Sequence, residues 1–340
     1  MADAFAGWMA RHGVTSGTIS LAVDGRLVLV RGFGGRDPAA QGPIWSLSKF
    51  ITGLAVARLV AEGKLSLDLP LSRAMPRRLA QHGAAGSPLA ALTLAQLLTH
   101  RSGLPRDPGG EAVPGLRALL RYRHPRDITT EQLAPALLAQ APARPPGESY
   151  EYSNANFLLA GFAVEEAAGE PYAAFAAREV LARLGIRRPA LDRDWGLLGA
   201  TGGWALNGAE YLALLLRSLH GPSLLSPDLR RWMGQPDGKT TEPGGPIFYS
   251  LGLLGRVVPG GQNRWHHGSW RFRWPGWSID ESGGTFAVVT PSRAAWFASF
   301  APHPGEAVLR DLDRTLLGSL PSEPAAGRMD LFSDFVDRPR

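Results

Sequence analysis

The sequence predicts an α+β fold: an antiparallel sheet flanked by helices, with a mostly helical domain inserted into it. Three observations carry this. Strand-like runs stand on both sides of Asp24-Gly25 near the start, a strong hairpin signal. A second group of strand-like runs follows Gly245. Between them, from Pro70 to about Pro246, the chain is mostly helical and loop-rich. Strands from both ends must then meet in one sheet. We therefore expect a discontinuous α/β domain of residues 1–70 and 246–320, an inserted helical domain of residues 71–245, and a C-terminal tail of residues 321–340.

The elements follow in order. Phe5 to His12 reads as a short helix. Thr18–Val23 and Arg26–Val30 form the hairpin arms. Leu47, Phe50, Ile51 and Leu54 have the spacing of a buried helix. Residues 71–91 and 104–115 are rich in Pro, Gly and Arg and read as surface loops. A helical run covers Phe157 to Ala168. Strands are expected at Phe248–Val258, Arg264–His267, Arg271–Ile279, Thr285–Val289 and Ala295–Phe300. Glu306–Leu317 is an amphipathic closing helix, with Val308, Leu309, Leu312 and Leu316 on one face. The tail is Pro-rich at both ends and reads as loosely ordered.

Composition narrows the function classes. Apolar residues make up 44% and charged residues 19% of 340 residues, the balance of a soluble globular chain with a sizeable core. There is no cysteine, so disulfides and thiolate metal sites are excluded. Residues 1–11 lack a basic start followed by a long apolar run. We read no signal peptide and expect a cytoplasmic protein. No stretch approaches the roughly 20 apolar residues that cross a bilayer. The net charge of +6 is spread over scattered arginines, which argues against nucleic acid as a partner. It is read instead as an anionic substrate or a compositional bias towards arginine.

The chemistry starts at Ser46-Leu47-Ser48-Lys49. Residues three apart share a helix face, so Ser46 and Lys49 point the same way, hydroxyl beside amine. Lysine is scarce: Lys49, Lys64 and Lys239 are the only three. Lysine loses its proton on burial far more readily than arginine does, so a lysine in an apolar helix suits nucleophile activation. A lysine that snorkels to the surface is the other reading of this segment. No Gly-x-Ser-x-Gly elbow, phosphate-binding loop or His-Glu-x-x-His motif is present. No cofactor and no metal are expected.

Two further motifs stand downstream: Tyr152-Ser153-Asn154, after a Pro146-Gly147 turn, and His266-His267-Gly268-Ser269. Ser-x-x-Lys, Tyr-x-Asn and a basic residue-x-Gly, in this order, resemble the pattern of the penicillin-recognising serine hydrolases. The chain most resembles the class C β-lactamase-like family, with its family VIII esterase and D-aminopeptidase branches. Leu97-Leu98-Thr99-His100-Arg101-Ser102-Gly103-Leu104-Pro105 matches a long family segment. Lys64-Leu65-Ser66-Leu67-Asp68 and Ala200-Thr201-Gly202-Gly203-Trp204 match two more.

The resemblance implies a β-lactamase/transpeptidase-like fold and a set of roles. Ser46 is the nucleophile, and Lys49 and Tyr152 are a coupled proton-transfer pair. The backbone N–H groups of Ser46 and Ser269 hold the oxyanion. Asn154 bonds Lys49 or the substrate. Gly268 lets the backbone approach the substrate, and His266 supplies charge near Tyr152. A tyrosine corner and a helix N-cap are the structural alternatives for Tyr152 and Asn154. Trp270 either packs in the core or lines an apolar acyl pocket. His266 stands where the family's lactamases carry lysine, which favours an esterase or amidase over a β-lactamase. His266 and His267 are adjacent on a strand and point oppositely, without a third metal ligand. The expected function is a serine hydrolase cleaving a small ester or amide. Acyl transfer, a β-lactamase or D-peptidase of the same fold, and a penicillin-binding-type sensor are the alternatives. Substrate choice is assigned to loops 104–127 and 236–247.

Overall fold

The computed structural model describes residues 1–107, 111–221, 224–234, 238–277, 279–320, 332 and 336. In chain order, helix α1 (Ala2–Arg11) leads into strands β1 (Ser16–Val23), β2 (Arg26–Phe33) and β3 (Gly42–Pro43). Helix α2 (Ser48–Ala61) follows, then short helices α3 (Leu71–Ala74), α4 (Pro76–Gln81), α5 (Leu94–Leu98), α6 (Leu116–Leu120) and α7 (Ala134–Leu138). Next come α8 (Asn154–Ala168), α9 (Tyr172–Phe175), β4 (Ala190–Leu191), β5 (Trp204–Leu206), α10 (Gly208–Leu219) and α11 (Pro227–Gly234). Strands β6 (Ile247–Ser250), β7 (Leu253–Val258), β8 (Gly261–Trp274), β9 (Ile279–Val289) and β10 (Ala294–Ala301) precede helix α12 (Leu309–Leu317).

Seven strands form one antiparallel sheet in the order β2-β1-β10-β9-β8-β7-β6. Its centre pairs the two ends of the chain, with Ser16 opposite Ala301 and Val23 opposite Ala294. One face is covered by α1 and α12, whose Phe5, Trp8, Leu312 and Leu316 pack on Ile19, Trp296 and Phe300. The other face carries the remaining core, including α2, α8 and α10. Burial on both faces explains why β1 is buried at six consecutive positions rather than alternating.

The structure corrects several sequence expectations. Residues 71–91 are not simply loop: they hold α3, α4 and a 3-10 turn at Pro88–Ala91, with Leu71, Met75, Leu79 and Leu89 buried. Phe248–Val258 is two strands rather than one. The chain reverses at Leu251-Gly252, where φ is 50° and 93°. Gly252 suits that left-handed turn because it has no Cβ to clash. Conversely, Arg264–His267 and the first part of Arg271–Ile279 merge into the 14-residue β8, which ends where the Pro275–Trp277 turn begins, and Ile279 opens β9. The small β3-β5-β4 sheet was not anticipated, because two-residue strands carry no periodicity. Helix α10, drawn from the middle of the chain, lies on the sheet with Tyr211 against Phe297 at 5.7 Å between ring centroids. The 321–340 tail lies outside the described residues except for Phe332 and Val336, which are both buried. No helix among the described residues is long and apolar enough to cross a membrane.

Candidate active site

Ser46 sits in a 3-10 turn, Trp45–Leu47, that runs directly into α2. Trp45, just before it, has φ 49°, a left-handed conformation that is uncommon for a bulky residue. Neighbours hold this turn in place. Ile44 N donates to Trp204 O at 2.9 Å and Thr285 Oγ1 donates to Ile44 O at 2.9 Å. A Cβ on Gly268 would stand 2.8 Å from Trp45 Cβ and 2.9 Å from Ile44 O. Gly268 is therefore needed for close approach to Ile44 O, Trp45 Cβ and Thr285 Oγ1. It is not among the residues that line the cavity described below.

Lys49, one turn past Ser46, is the second residue of α2 and is fully buried, so it does not snorkel. Its Nζ stands 3.2 Å from Ser46 Oγ, 2.7 Å from Asn154 Oδ1 and 2.8 Å from Thr201 O. Burial, and then the Arg106 guanidinium, hold the amine well below its ordinary value of 10.5. Asn154 Oδ1 also accepts from Thr201 Oγ1 at 2.9 Å, and Asn154 Nδ2 donates to Ala112 O at 3.1 Å. The N-cap of α8 is Ser153. Asn154 is the first helical residue, with its amide turned to Lys49.

The Tyr152 hydroxyl donates to Ser46 Oγ at 2.8 Å, so its partner is not the backbone acceptor of a tyrosine corner. Burial raises this phenol above its ordinary value, and the bond to Ser46 opposes that shift. His100 clamps the segment from both sides of Tyr152. Its carbonyl accepts from Glu151 N at 2.8 Å and its Nδ1 accepts from Ser153 N at 3.3 Å.

His266 does not supply charge to Tyr152. It is 2% exposed. Its Nδ1–H donates to His267 O at 2.6 Å, and its Nε2 accepts from the Tyr249 hydroxyl at 3.2 Å. Burial, and then His267 and Lys49, hold it well below the ordinary histidine value. The groups over the Tyr152 ring are Lys49 Nζ, 4.9 Å from its centroid, and the Arg106 guanidinium, at 5.6 Å. Arg106, Tyr249 and Thr201 were missed as site residues. A backbone carbonyl acceptor such as Thr201 O has no signature in side-chain pattern.

These groups open on one cavity of about 470 Å³ whose walls include Ser46, Tyr152, Asn154, His266, Ser269 and Trp270. Strand β8 forms one wall because it outruns its neighbour. It pairs with β9 through Trp274, but with β7 only as far as Trp265. Beyond Trp265, β8 thus runs past the end of its pairing with β7, beside Ser46.

A seven-stranded antiparallel sheet carrying a buried Ser-x-x-Lys helix turn now stands beside the sequence match. The Beta-lactamase family model matches residues 1–318. The chain belongs to the Beta-lactamase family. Protein flp of Staphylococcus aureus (strain N315) is 28% identical over 168 residues, 47% of this chain and 31% of flp. Esterase EstB of Burkholderia gladioli is 35% identical over 144 residues, 42% of this chain and 36% of EstB. The matched segments thus span about a third of these relatives. Among solved structures, a D-stereospecific amidohydrolase from Streptomyces sp. aligns with a TM-score of 0.72 at 22% identity, over 94% of this chain and 99% of that one. An octameric penicillin-binding protein homologue from Pyrococcus abyssi aligns with a TM-score of 0.71 at 22% identity, over 93% and 76%. At these identities the likeness is one of fold. This Beta-lactamase family member departs from the lysine-bearing pattern at His266, where a neutral, doubly bonded imidazole stands.

Proposed function

We propose that the chain is a serine hydrolase that cleaves a small ester or amide through an acyl-enzyme on Ser46. The observation that carries this reading is the geometry of Lys49 Nζ. A neutral amine has two N–H donors and one lone pair. Asn154 Oδ1 and Thr201 O, at 2.7 and 2.8 Å, take the two donors. The lone pair is left for the Ser46 hydroxyl, 3.2 Å away. Lys49 is then the base that accepts the Ser46 proton as Oγ attacks the carbonyl carbon.

Tyr152 keeps its proton at rest because burial raises its pKa. It acts as the relay. As the bond from carbon to the leaving oxygen or nitrogen breaks, the Tyr152 hydroxyl protonates the leaving atom and is reprotonated from Lys49. Water then attacks the acyl-Ser46 ester, gives its proton back through the same pair, and releases the acid and the free Ser46 hydroxyl. The backbone N–H groups of Ser46 and Ser269 are assigned to the oxyanion; each such donor is typically worth about 3 kcal/mol in the barrier. On this reading the cleft lies between a sheet unit, residues 1–70 and 246–320, and a helical unit, residues 71–245.

The neutral His266, tied to Tyr249, supports an ester or amide over a β-lactam, because it offers no fixed cation for a carboxylate. The test is p-nitrophenyl ester hydrolysis by wild type and Ser46→Ala, with fluorophosphonate labelling and peptide mapping. We expect label on Ser46 and at least a thousandfold loss of rate in the variant, with slow or no nitrocefin turnover. Label on another serine, or equal rates, overturns the assignment.

A further inference from the structure

We propose that the substrate's acyl part carries an aromatic ring, seated on a wall built by Trp45, Trp195, Trp270 and Phe272. This deepens the acyl-enzyme reading and rests on it. All four side chains line the cavity. Trp45 immediately precedes Ser46, and its ring stacks on Trp270 with centroids 5.9 Å apart and planes 14° apart. Trp270 and Phe272, two apart on β8 and so on the same face, stack at 5.7 Å and 18°. Trp195 meets both edge-on, at 4.8 Å from Trp270 and 4.9 Å from Phe272.

The wall is preorganised. Trp195 Nε1–H donates to Glu281 Oε2 at 2.7 Å, which fixes the edge-on ring. Phe272 is backed by Trp274 in a further stacked step at 6.2 Å. Trp270 and Phe272 are only half-buried, so part of each ring faces the cavity rather than the core. Stacked and edge-on contacts to an incoming ring add to its area burial.

The side of the carbonyl that meets this wall follows from the proton path. The leaving atom must face the Tyr152 hydroxyl. Tyr152 has ring contacts with His100, Tyr249 and His266. It shares none with the four wall rings among those described. A carbonyl carbon over Ser46 has two substituents, so with the leaving group towards Tyr152 the acyl substituent points to the tryptophans.

The experiment compares p-nitrophenyl phenylacetate with p-nitrophenyl acetate, which share a leaving group, each corrected for its spontaneous rate. We expect kcat/KM to favour phenylacetate at least tenfold, the scale of discrimination an apolar pocket supplies. Trp270→Ala should cut that ratio about tenfold, and Trp270→Phe should keep most of it. The ratio is insensitive to partial loss of folded protein. A wild-type ratio at or below one, or a ratio indifferent to Trp270→Ala, overturns the proposal. Calorimetric binding of phenylacetamide and acetamide to Ser46→Ala separates the two levels. Tighter phenylacetamide binding with no turnover of either ester by wild type sinks the acyl-enzyme reading and leaves the aromatic wall standing. Equal binding sinks the wall even if esters are cleaved.

Discussion

Asn154 Oδ1 accepts two hydrogen bonds at once, from Lys49 Nζ at 2.7 Å and from Thr201 Oγ1 at 2.9 Å. The side-chain amide is therefore held with its oxygen, not its nitrogen, towards the lysine. A carboxylate in the same place would favour the charged amine. Since the base must be neutral, Asn154→Asp should move the acid limb of the kcat/KM profile to higher pH and lower the rate at neutral pH. Asn154→Ala should lower the rate without that upward shift. A pH–rate profile of the two variants against wild type decides it; identical acid limbs in Asn154→Asp and wild type would show that Lys49 is not the base.

Tyr152 and Lys49 are pushed in opposite directions by burial, the phenol up and the amine down. The rate should therefore rise with pH as Lys49 loses its proton, at a pH well below 10.5. It should not fall again before the normal tyrosine range, because Tyr152 remains protonated there. Tyr152→Phe removes the relay and should cost about 10²–10⁴ in kcat, with the acid limb still governed by Lys49. Loss of the acid limb in this variant would instead make Tyr152 the titrating base.

The glycine on β8 offers a geometric test. Gly268→Ala puts a methyl 2.7–2.9 Å from Thr285 Oγ1, Trp45 Cβ and Ile44 O. The turn that carries Ser46 must shift, and overpacking of this kind costs about 1–3 kcal/mol. We expect a lower Tm and at least a tenfold loss of esterase activity. Gly86→Ala, where nothing lies within 4 Å of the added Cβ, should change neither. Full activity in Gly268→Ala would detach this contact from the placement of Ser46.

The buried amine also leaves a mark on stability. The folded pKa of Lys49 lies well below its ordinary value, near which the unfolded chain titrates, at about 10.4. Between those two values the unfolded chain holds the extra proton. Wild-type stability therefore rises with pH through this window and is lost as pH falls, with a limiting slope of about 1.4 kcal/mol per pH unit. Lys49→Met has no such group. The difference in Tm between Lys49→Met and wild type should shift in favour of wild type as pH rises from 7 to 10. A pH-independent difference would mean that the lysine is charged in the folded protein.

Much of the fold was legible because it rests on local pattern. Asp24-Gly25 announced the β1–β2 hairpin, which the structure has. The apolar run after Ser46 announced α2. The run before Gly169 announced α8, which ends there on a left-handed glycine. Failures came where local pattern was interrupted or absent. Leu251-Gly252 broke one expected strand into two, and β8 continued through residues 268–270, where two runs had been read.

What the sequence by itself determined is the chemistry on offer: a hydroxyl and an amine three residues apart on one helix face, and a Tyr-x-Asn step ahead of another helix. Periodicity within a segment is enough to specify those relationships. Only the tertiary structure decided which groups meet across segments. It turned Thr201 O and Asn154 Oδ1 onto Lys49, buried His266 beside Tyr249, where burial lowers its pKa, and packed Gly268 on Trp45. These contacts join residues 17 to 223 positions apart, and two of them engage backbone atoms that carry no residue-specific signal. They depend on the pairing of β1 with β10 and on β8 running past the end of its pairing with β7, relationships that no local run specifies.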